Sequence, residues 1–264
     1  MRQGSRRAWF ADRAEAGRVL AEQLAPYAGR ADVLVLGLPR GGVPVAAEVA
    51  ARLGLPLDCW VVRKLGLPGH SEFAMGALAS GGEVEVDELL LRELGVSPAA
   101  LAEVERRERA ELERREALYR GGRPPPDIAG RTVLVIDDGM ATGATMRAVV
   151  GALRRRAPAR IIVAVPVASR QACLELGELA DDCLCTATPE PFRAVGHFYG
   201  SFAPTSDAEV IACLESAAAR ELALGQRRGL APGTGAGGLR AMMPRDPSTV
   251  IPVTAEPLTG DGPC

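Results

Sequence analysis

The chain has 264 residues, of which 47% are apolar, 24% are charged and 4% are aromatic, and its formal net charge is −2. This length suits one large or two small domains, and the apolar content excludes a chain that is disordered throughout. The balanced charge and the scarcity of aromatic residues argue against a nucleic-acid-binding protein, which usually presents a basic surface and rings for base stacking. Lys64 is the single lysine among 31 cationic side chains, and codon bias toward arginine would account for it.

Helix-like and strand-like segments alternate in the first part of the chain. Apolar residues at helical spacing predict a helix over residues 9–25. A continuous apolar run at 33–38 is typical of a strand that is buried on both faces, and residues 57–62 are predicted to be a second buried strand. A helical pattern over 43–53 separates these two predicted strands. Residues 65–82 are rich in glycine and are predicted to be irregular, with a small strand near 75–79.

A long helix is predicted over residues 97–120. Ser97 is a suitable N-cap and Pro98 suits the first helical position. The many Glu and Arg residues from 103 to 116 indicate a solvated face with ion pairs between successive turns.

The second half of the chain continues the alternation of strands and helices. Strand-like runs occur at 132–136, 160–165 and 183–186, and helical patterns at 143–156 and 169–180 separate them. This order predicts a parallel sheet that is covered by helices, an α/β fold.

The composition also predicts the domain organisation. Residues 1–222 form one predicted domain, and residues 223–264, rich in Gly, Pro, Thr and Ala, form a predicted disordered tail because they have little apolar surface to bury. No run of about 18 apolar residues suggests a membrane span. The six scattered cysteines are predicted to be reduced thiols, which favours a cytoplasmic protein.

The segment 133–145 carries the clearest chemical signal. Asp137 and Asp138 follow a buried strand, and a turn of small residues then opens a helix. Ligands of open parallel sheets bind beyond the carboxyl ends of strands, and a helix N-terminus suits a phosphate. Two adjacent carboxylates repel each other unless they accept bonds from sugar hydroxyls or face a cation. The alternative is a simple Asp-Asp-Gly turn with Thr142 as an N-cap, but the whole string favours a site for a phosphorylated ribose.

This segment resembles the phosphoribosyl-pyrophosphate (PRPP) motif of the type I phosphoribosyltransferases. The resemblance implies a Rossmann-like parallel sheet flanked by helices with a small C-terminal hood, and it assigns the ribose hydroxyls to Asp137 and Asp138. It assigns the 5′-phosphate to the loop formed by Ala141, Thr142, Gly143, Ala144 and Thr145. Two residues depart from the family pattern. Gly139 replaces a usually aliphatic residue, and Ala141 stands where members acting on 6-oxopurines carry an aspartate.

Two further segments fit the same resemblance. The turn at 37–43 corresponds to the pyrophosphate loop of the family, which often contains a non-proline cis peptide; its predicted pyrophosphate ligands are Arg40 and the amides of Gly41 and Gly42. Arg63 and Lys64 resemble the arginine–lysine pair of orotate phosphoribosyltransferases, so both are predicted to bind pyrophosphate, with Lys64 also catalytic.

Other residues keep two interpretations. His70 and Glu72 either assist proton transfer or are solvated loop residues. The aromatic residues of segment 189–202, where the family has its base-recognising hood, either stack on a nucleobase or form a small satellite core; they are Phe192, Phe198, Tyr199 and Phe202.

The resemblance implies a Mg²⁺-dependent transfer of a 5-phosphoribosyl group from PRPP to a nitrogenous base, a glycosyltransferase reaction of nucleotide metabolism. It further implies a homodimer, without a nucleic-acid or membrane partner. The alternative is a regulator on the same fold that senses PRPP or a nucleotide without turnover. A serine hydrolase is disfavoured because the sequence contains no GxSxG motif.

Overall fold

The computed structural model describes residues 9–229, without the side chains of residues 71–74 and 225–229. Its strands form one parallel and one antiparallel sheet. In chain order the strands are β1 (Val33–Gly37), β2 (Leu57–Cys59), β3 (Val62–Leu67), β4 (His70–Ala79), β5 (Val84–Val86), β6 (Thr132–Ile136), β7 (Arg160–Val167) and β8 (Asp182–Ala187). The α-helices are α1 (Arg13–Gln23), α2 (Gly42–Leu53), α3 (Glu88–Glu93), α4 (Pro98–Arg120), α5 (Ala144–Arg154), α6 (Arg170–Leu179) and α7 (Asp207–Gly229).

The main sheet has the strand order β2-β1-β6-β7-β8, and its neighbouring strands are parallel. β1 and β6 are buried along their whole length, and they pair from Val33 with Thr132 to Gly37 with Ile136. The predicted parallel sheet flanked by helices is therefore confirmed. Because β1 and β6 are neighbours and point the same way, the loops that follow them meet at one edge of the sheet.

Helices cover both faces of the main sheet. Because alternate strand residues point to opposite sides of a sheet, each strand contributes to two cores. Val33 and Val35 of β1 belong to a core that includes apolar residues of α1, α2, α4 and α7. Leu34 and Leu36 belong to a second core with residues of α5 and α6. This two-sided burial explains the unbroken apolar runs of the strands.

The antiparallel sheet, in the order β3-β4-β5, corrects the prediction for residues 65–82. Most of these residues belong to strands rather than to an irregular segment. Gly69, Gly81 and Gly82 have φ angles of +80°, +88° and +84° and lie in the turns. Glycine adopts this conformation without a steric penalty. The predicted small strand near 75–79 is confirmed as part of β4. The rest of the prediction was wrong because Gly69, Gly81 and Gly82 mark the turns between strands, and Gly66 and Gly76 lie within strands.

The two longest helices differ in how well the sequence predicted them. α4 matches its prediction closely, and the hydroxyl of Ser97 accepts a 3.2 Å bond from the Ala100 N–H. α7 was not predicted, although Val210, Leu214 and Ala217 recur at helical spacing and are buried. Among the described helices, none has the length and apolar character needed to cross a bilayer.

The predicted boundary after residue 222 falls inside α7, which continues to Gly229. Residues 230–264, most of the predicted disordered tail, lie outside the described residues. Disorder there stays a prediction.

Two of the cysteines predicted to be reduced thiols are bonded to each other in the structure. Cys173 of α6 and Cys185 of β8 form a disulfide, with their Cα atoms 6.5 Å apart. Reduced thiols were predicted because no sequence spacing pairs these two positions. The packing of α6 on β8 brings them together, and this is a tertiary contact without a local sequence signal.

Candidate functional site

Asp137 and Asp138 stand directly after β6, at the carboxyl edge of the main sheet. The backbone N–H of Asp138 donates a 2.8 Å bond to Asp137 Oδ1. Asp138 Oδ2 accepts a 2.8 Å bond from Arg13 Nε, and the hydroxyl of Tyr199 donates a 2.6 Å bond to the Asp138 carbonyl. Segments from both ends of the described chain therefore hold the acid pair in place.

Arg13 is the main residue of this site that the sequence did not reveal. Its guanidinium also donates a 2.8 Å bond to the carbonyl of Ala203 and lies 3.9 Å from the centre of the Phe202 ring. Its side chain is 13% exposed. Arg13 is 125 residues away from Asp138 in sequence. As one arginine among many, it carries no local pattern that could have identified it.

Burial sets the protonation of the acid pair. Desolvation, with the nearby charge of Asp138, raises the pKa of Asp137 well above its ordinary value. Desolvation also raises the pKa of Asp138, although the hydrogen bond from Arg13 opposes that rise. The site therefore favours ligands that donate hydrogen bonds to the carboxylates or bring positive charge to them.

Gly41 and Gly42 bring the turn after β1 against the acid pair. A Cβ atom on Gly41 would overlap the carboxylate of Asp138. A Cβ atom on Gly42 would lie 2.8 Å from the Cα of Asp137 and 2.7 Å from the carbonyl oxygen of Ile136. Both positions therefore require glycine for this approach, and the structure brings together the two predicted loops.

Arg40 follows a cis peptide bond from Pro39, the feature that the family resemblance implies for this turn. Its side chain is 46% exposed, and its Nη1 lies 3.8 Å from Oδ1 of Asp207 at the start of α7. The same Asp207 oxygen accepts a 2.6 Å bond from the hydroxyl of Tyr119. Burial, then Asp207, raises the pKa of Tyr119, so this hydroxyl stays protonated. The long contact leaves the Arg40 charge facing solvent beside the turn.

The loop of residues 141–145 connects the acid pair to α5. Gly143 precedes the helix with a φ angle of +71°, and a Cβ atom there would lie 3.0 Å from Leu176 of α6. The hydroxyl of Ser169 donates a 2.6 Å bond to the carbonyl of Ala141. Ala141 and Thr142 are exposed. The loop is thus supported from behind and open in front, with the positive end of the α5 dipole beside it.

The side chains of Arg63 and Lys64, which are both predicted to bind pyrophosphate, have different surroundings on β3. Nε and Nη2 of Arg63 donate bonds of 2.9 and 2.6 Å to Oε2 of Glu108 in α4. Lys64 is exposed and lines a cavity of about 400 Å³ together with Thr145 and Arg147. Successive strand residues point to opposite faces. Of the two cations, Lys64 lies toward the helix that follows the 141–145 loop, and Arg63 lies toward α4.

His70 and Glu72 belong to the start of β4. His70 is exposed, and the side chain of Glu72 lies outside the described part of the chain. A role in proton transfer stays a prediction for both residues.

The aromatic residues of segment 189–202 pack on one another and on Phe10. The ring centres of Phe192 and Phe198 are 5.2 Å apart, and those of Tyr199 and Phe202 are 4.9 Å apart. Phe10 lies 5.6 Å from Tyr199, measured in the same way. In this structure these residues form a satellite core beside the acid pair.

Gly139, the position after the acid pair, departs from the family pattern for a steric reason. A Cβ atom there would lie 2.6 Å from Cγ1 of Val195 and 3.0 Å from Cγ1 of Val167. Val195 begins the short 3₁₀ helix Val195–Phe198. A side chain of the 189–202 segment therefore occupies the space that an aliphatic residue at position 139 would need.

Comparison with known proteins gives consistent matches. A family model described as the phosphoribosyl transferase domain matches residues 11–188. Two Mycobacterium tuberculosis proteins, from strains H37Rv and CDC 1551, are named as proposed phosphoribosyl transferases, and each is 44% identical over 208 residues. That alignment covers 79% of this chain and 47% of each relative. The chain thus spans about half the length of the curated relatives that it matches.

Among solved structures, TT1426 from Thermus thermophilus is 44% identical in sequence, with a TM-score of 0.69. The match covers 78% of this chain and 98% of that one. The similarity therefore extends over a whole folded unit, including the sheet edge that carries the acid pair.

Proposed function

The chain belongs to the phosphoribosyl transferase domain family, and from that premise we propose that it transfers a 5-phosphoribosyl group from PRPP to a nitrogenous base, with release of pyrophosphate. The acceptor in this proposal is a nucleobase, which places the reaction in nucleotide metabolism. The proposal includes a cytoplasmic homodimer, as the family resemblance implies.

The contact between the Gly41–Gly42 turn and the acid pair carries this proposal. The turn offers backbone amides and the Arg40 charge, the acid pair offers acceptors, and the 141–145 loop offers a helix N-terminus. These three elements lie at the carboxyl edge of β1 and β6. A molecule with a pyrophosphate, a ribose diol and a 5′-phosphate presents the complementary groups in one ligand.

In the proposed reaction, the bond between the ribose anomeric carbon and the pyrophosphate oxygen breaks as the bond to the base nitrogen forms, and the proton of that nitrogen is released to solvent. Positive charge develops on the ribose ring, and Asp137 and Asp138 orient the hydroxyls and stabilise that charge. Negative charge develops on the leaving pyrophosphate, where Arg40, Lys64 and the amide of Gly41 stabilise it. The amide of Gly42, also a predicted ligand, instead donates a 2.9 Å hydrogen bond to the Leu38 carbonyl. Catalysis is therefore mainly positioning and electrostatic stabilisation.

The paired carboxylates fit a Mg²⁺ requirement, because hard divalent cations prefer oxygen ligands and substrate phosphates. Bound through the substrate near Asp137 and Asp138, Mg²⁺ would neutralise charge on the pyrophosphate and offset the repulsion between the two acids.

Thermal unfolding with PRPP and Mg²⁺ tests binding. A ligand that binds the folded state at about 100 times its Kd stabilises that state by about 2.7 kcal/mol, so a clear rise in Tm is expected. Asp137→Asn should reduce the rise, because one acceptor of the ribose hydroxyls is lost, whereas Asp32→Asn, at the opposite end of β1, should keep it in full. The absence of any rise for the wild type at millimolar PRPP would contradict the proposal.

A second candidate, a PRPP sensor without turnover, is favoured by the ion pair of one predicted pyrophosphate ligand. The guanidinium of Arg63 is bound to Glu108, with a nitrogen–oxygen distance of 2.6 Å. Pyrophosphate release measured with a panel of nucleobases distinguishes the two functions. Release with one of the bases supports the transferase, and PRPP binding without release with any of them supports the sensor.

A further inference from the structure

Three cysteine sulfurs meet between α6 and β8, away from the acid pair. Cys183 and Cys185 are two residues apart on β8 and so share one face of that strand. Cys173 reaches the same place from α6. The three sulfur atoms lie within 4.8 Å of one another. All three side chains are half-buried, so the cluster is accessible to small solutes and still sheltered.

The spacing of the sulfurs suits a soft metal ion. Two thiolates bound to one tetrahedral Zn²⁺ at about 2.3 Å stand about 3.8 Å apart. Sγ of Cys183 and Sγ of Cys185 are 3.8 Å apart. Thiolates select Zn²⁺ and similar thiophilic ions, whereas Mg²⁺ prefers oxygen. The chemistry of this cluster is therefore distinct from that of the phosphoribosyl site.

Cys185 can take part either in the disulfide or in metal binding, but not in both at once. Its sulfur is bonded to Cys173 in the disulfide, and a disulfide sulfur is not available as a thiolate ligand. Reduction by a dithiol adds two electrons and two protons to that bond and converts the dithiol to its own disulfide. The cluster then holds three thiols, and binding one divalent cation releases their three protons.

The sulfur of Cys183 lies 3.8 Å from that of Cys185, beside the disulfide. Burial, together with the charge of Asp182, raises the pKa of the Cys183 thiol to about 11. At neutral pH this thiol is therefore protonated and a weak nucleophile toward the neighbouring disulfide. A bound cation would favour the thiolate directly.

We propose that Cys173, Cys183 and Cys185 form a binding site for a thiophilic divalent cation when reduced, and that the Cys173–Cys185 disulfide closes this site when oxidised. The site supplies three thiolates and leaves the fourth tetrahedral position for solvent or a further ligand. It does not depend on PRPP binding or on turnover.

Cadmium ion is the probe, because thiolate-to-cadmium charge transfer absorbs in the ultraviolet. The protein is the full chain carrying Cys264→Ser, since Cys264 lies outside the described residues. After reduction by a dithiol and removal of the reductant, titration should give charge-transfer absorption that saturates at one equivalent. The oxidised protein should bind only after reduction.

Matched variants separate the cluster from other thiols. Cys183→Ser should weaken cadmium binding by about 10–100-fold, and Cys213→Ser, which removes a half-buried free thiol elsewhere, should leave it unchanged. Circular dichroism and thermal unfolding check that each variant is folded. A reduced protein without charge-transfer absorption, or equal losses in the two variants, would overturn the site.

Alkylation gives a second measure of cadmium binding. It uses the protein in which Cys173, Cys183 and Cys185 are all present. Bound cadmium should shield Cys173, Cys183 and Cys185 from iodoacetamide, as measured by peptide mass spectrometry, while Cys213 stays as reactive as before. Equal shielding of Cys213 would indicate general protection and would contradict the proposal. If the oxidised protein binds cadmium as well as the reduced one, the disulfide does not close the site.

Discussion

The edge of the main sheet and the β3–β4 hairpin both carry residues that the family resemblance assigned to substrate binding. The sheet edge brings these residues together, whereas the hairpin separates them. At the sheet edge, Asp137, Asp138, Gly41 and Gly42 are in mutual contact. On β3, the neighbouring Arg63 and Lys64 lie on different faces, and one of them is bound to Glu108.

The difference follows from the geometry of the two sheets. The loops after adjacent parallel strands meet at one edge, so residues that are distant in sequence converge there. Along a strand, side chains alternate between faces, so residues adjacent in sequence separate. A motif at a strand end therefore predicts a site more reliably than a pair of residues inside a strand.

Asp137→Asn should give the largest effect on function at the sheet edge. We expect kcat to fall by about 10²–10³-fold, the range seen when one electrostatic group is removed from a catalytic site. The folded state should nevertheless gain stability at neutral pH, because asparagine removes a buried charge. Pyrophosphate release and urea unfolding measure the two effects. Full activity in this variant would place Asp137 outside the site.

Gly41→Ala tests the contact between the two loops. Its Cβ atom would overlap the carboxylate of Asp138, so the free energy of unfolding should fall by about 1–3 kcal/mol, and PRPP affinity should fall as the turn moves away. Gly177→Ala is the matched control in α6, where a Cβ atom meets nothing within 4 Å. The control should stabilise the protein by about 0.5–1 kcal/mol. Equal behaviour of the two variants would show that the turn tolerates a side chain.

Lys64→Ala and Arg63→Ala should separate function from stability on the hairpin. We expect Lys64→Ala to lower kcat/KM about tenfold through the pyrophosphate, with little change in unfolding. Arg63→Ala leaves the buried Glu108 without one of its arginine partners, which should cost about 1–3 kcal/mol of stability. Activity assays and urea unfolding on both variants provide the check, and the reverse pattern would restore Arg63 as the pyrophosphate ligand.

The pH dependence of stability should show the smallest effect. Between the ordinary aspartate pKa of about 3.9 and the raised pKa of Asp137, the folded state binds more protons than the unfolded state. The contribution of Asp137 to the stability of the folded state therefore falls as pH rises through that window. Urea unfolding of wild type and Asp137→Asn should give a difference that grows with pH and then levels off. A constant difference would contradict the raised pKa.

The sequence predicted the parts of the fold that local patterns encode. The strands of the main sheet and the Ser97 cap were predicted correctly because apolar runs and capping residues are short-range signals. The acid pair was picked out by its strand-end motif, and its role in a site stays a prediction. Arg13, the hairpin sheet, α7 and the Cys173–Cys185 disulfide were not recognised. Arg13 acts through a contact 125 residues away in sequence, and Cys173 pairs with Cys185 only because α6 packs on β8. The glycines of the hairpin were taken as signs of irregular structure.

The fit of Val195 into the space beside Gly139 has a consequence for how this protein family can diversify. A larger residue at position 139 needs a smaller one at position 195, so the two positions should change in a correlated way among relatives. Gly139→Val alone should be destabilising, and adding Val195→Gly should recover part of that loss, a coupling of about 0.5–3 kcal/mol in a double-mutant cycle. The side chain of Val195 therefore sets much of the space available at position 139, and Val167, 3.0 Å from a Cβ atom there, limits the rest.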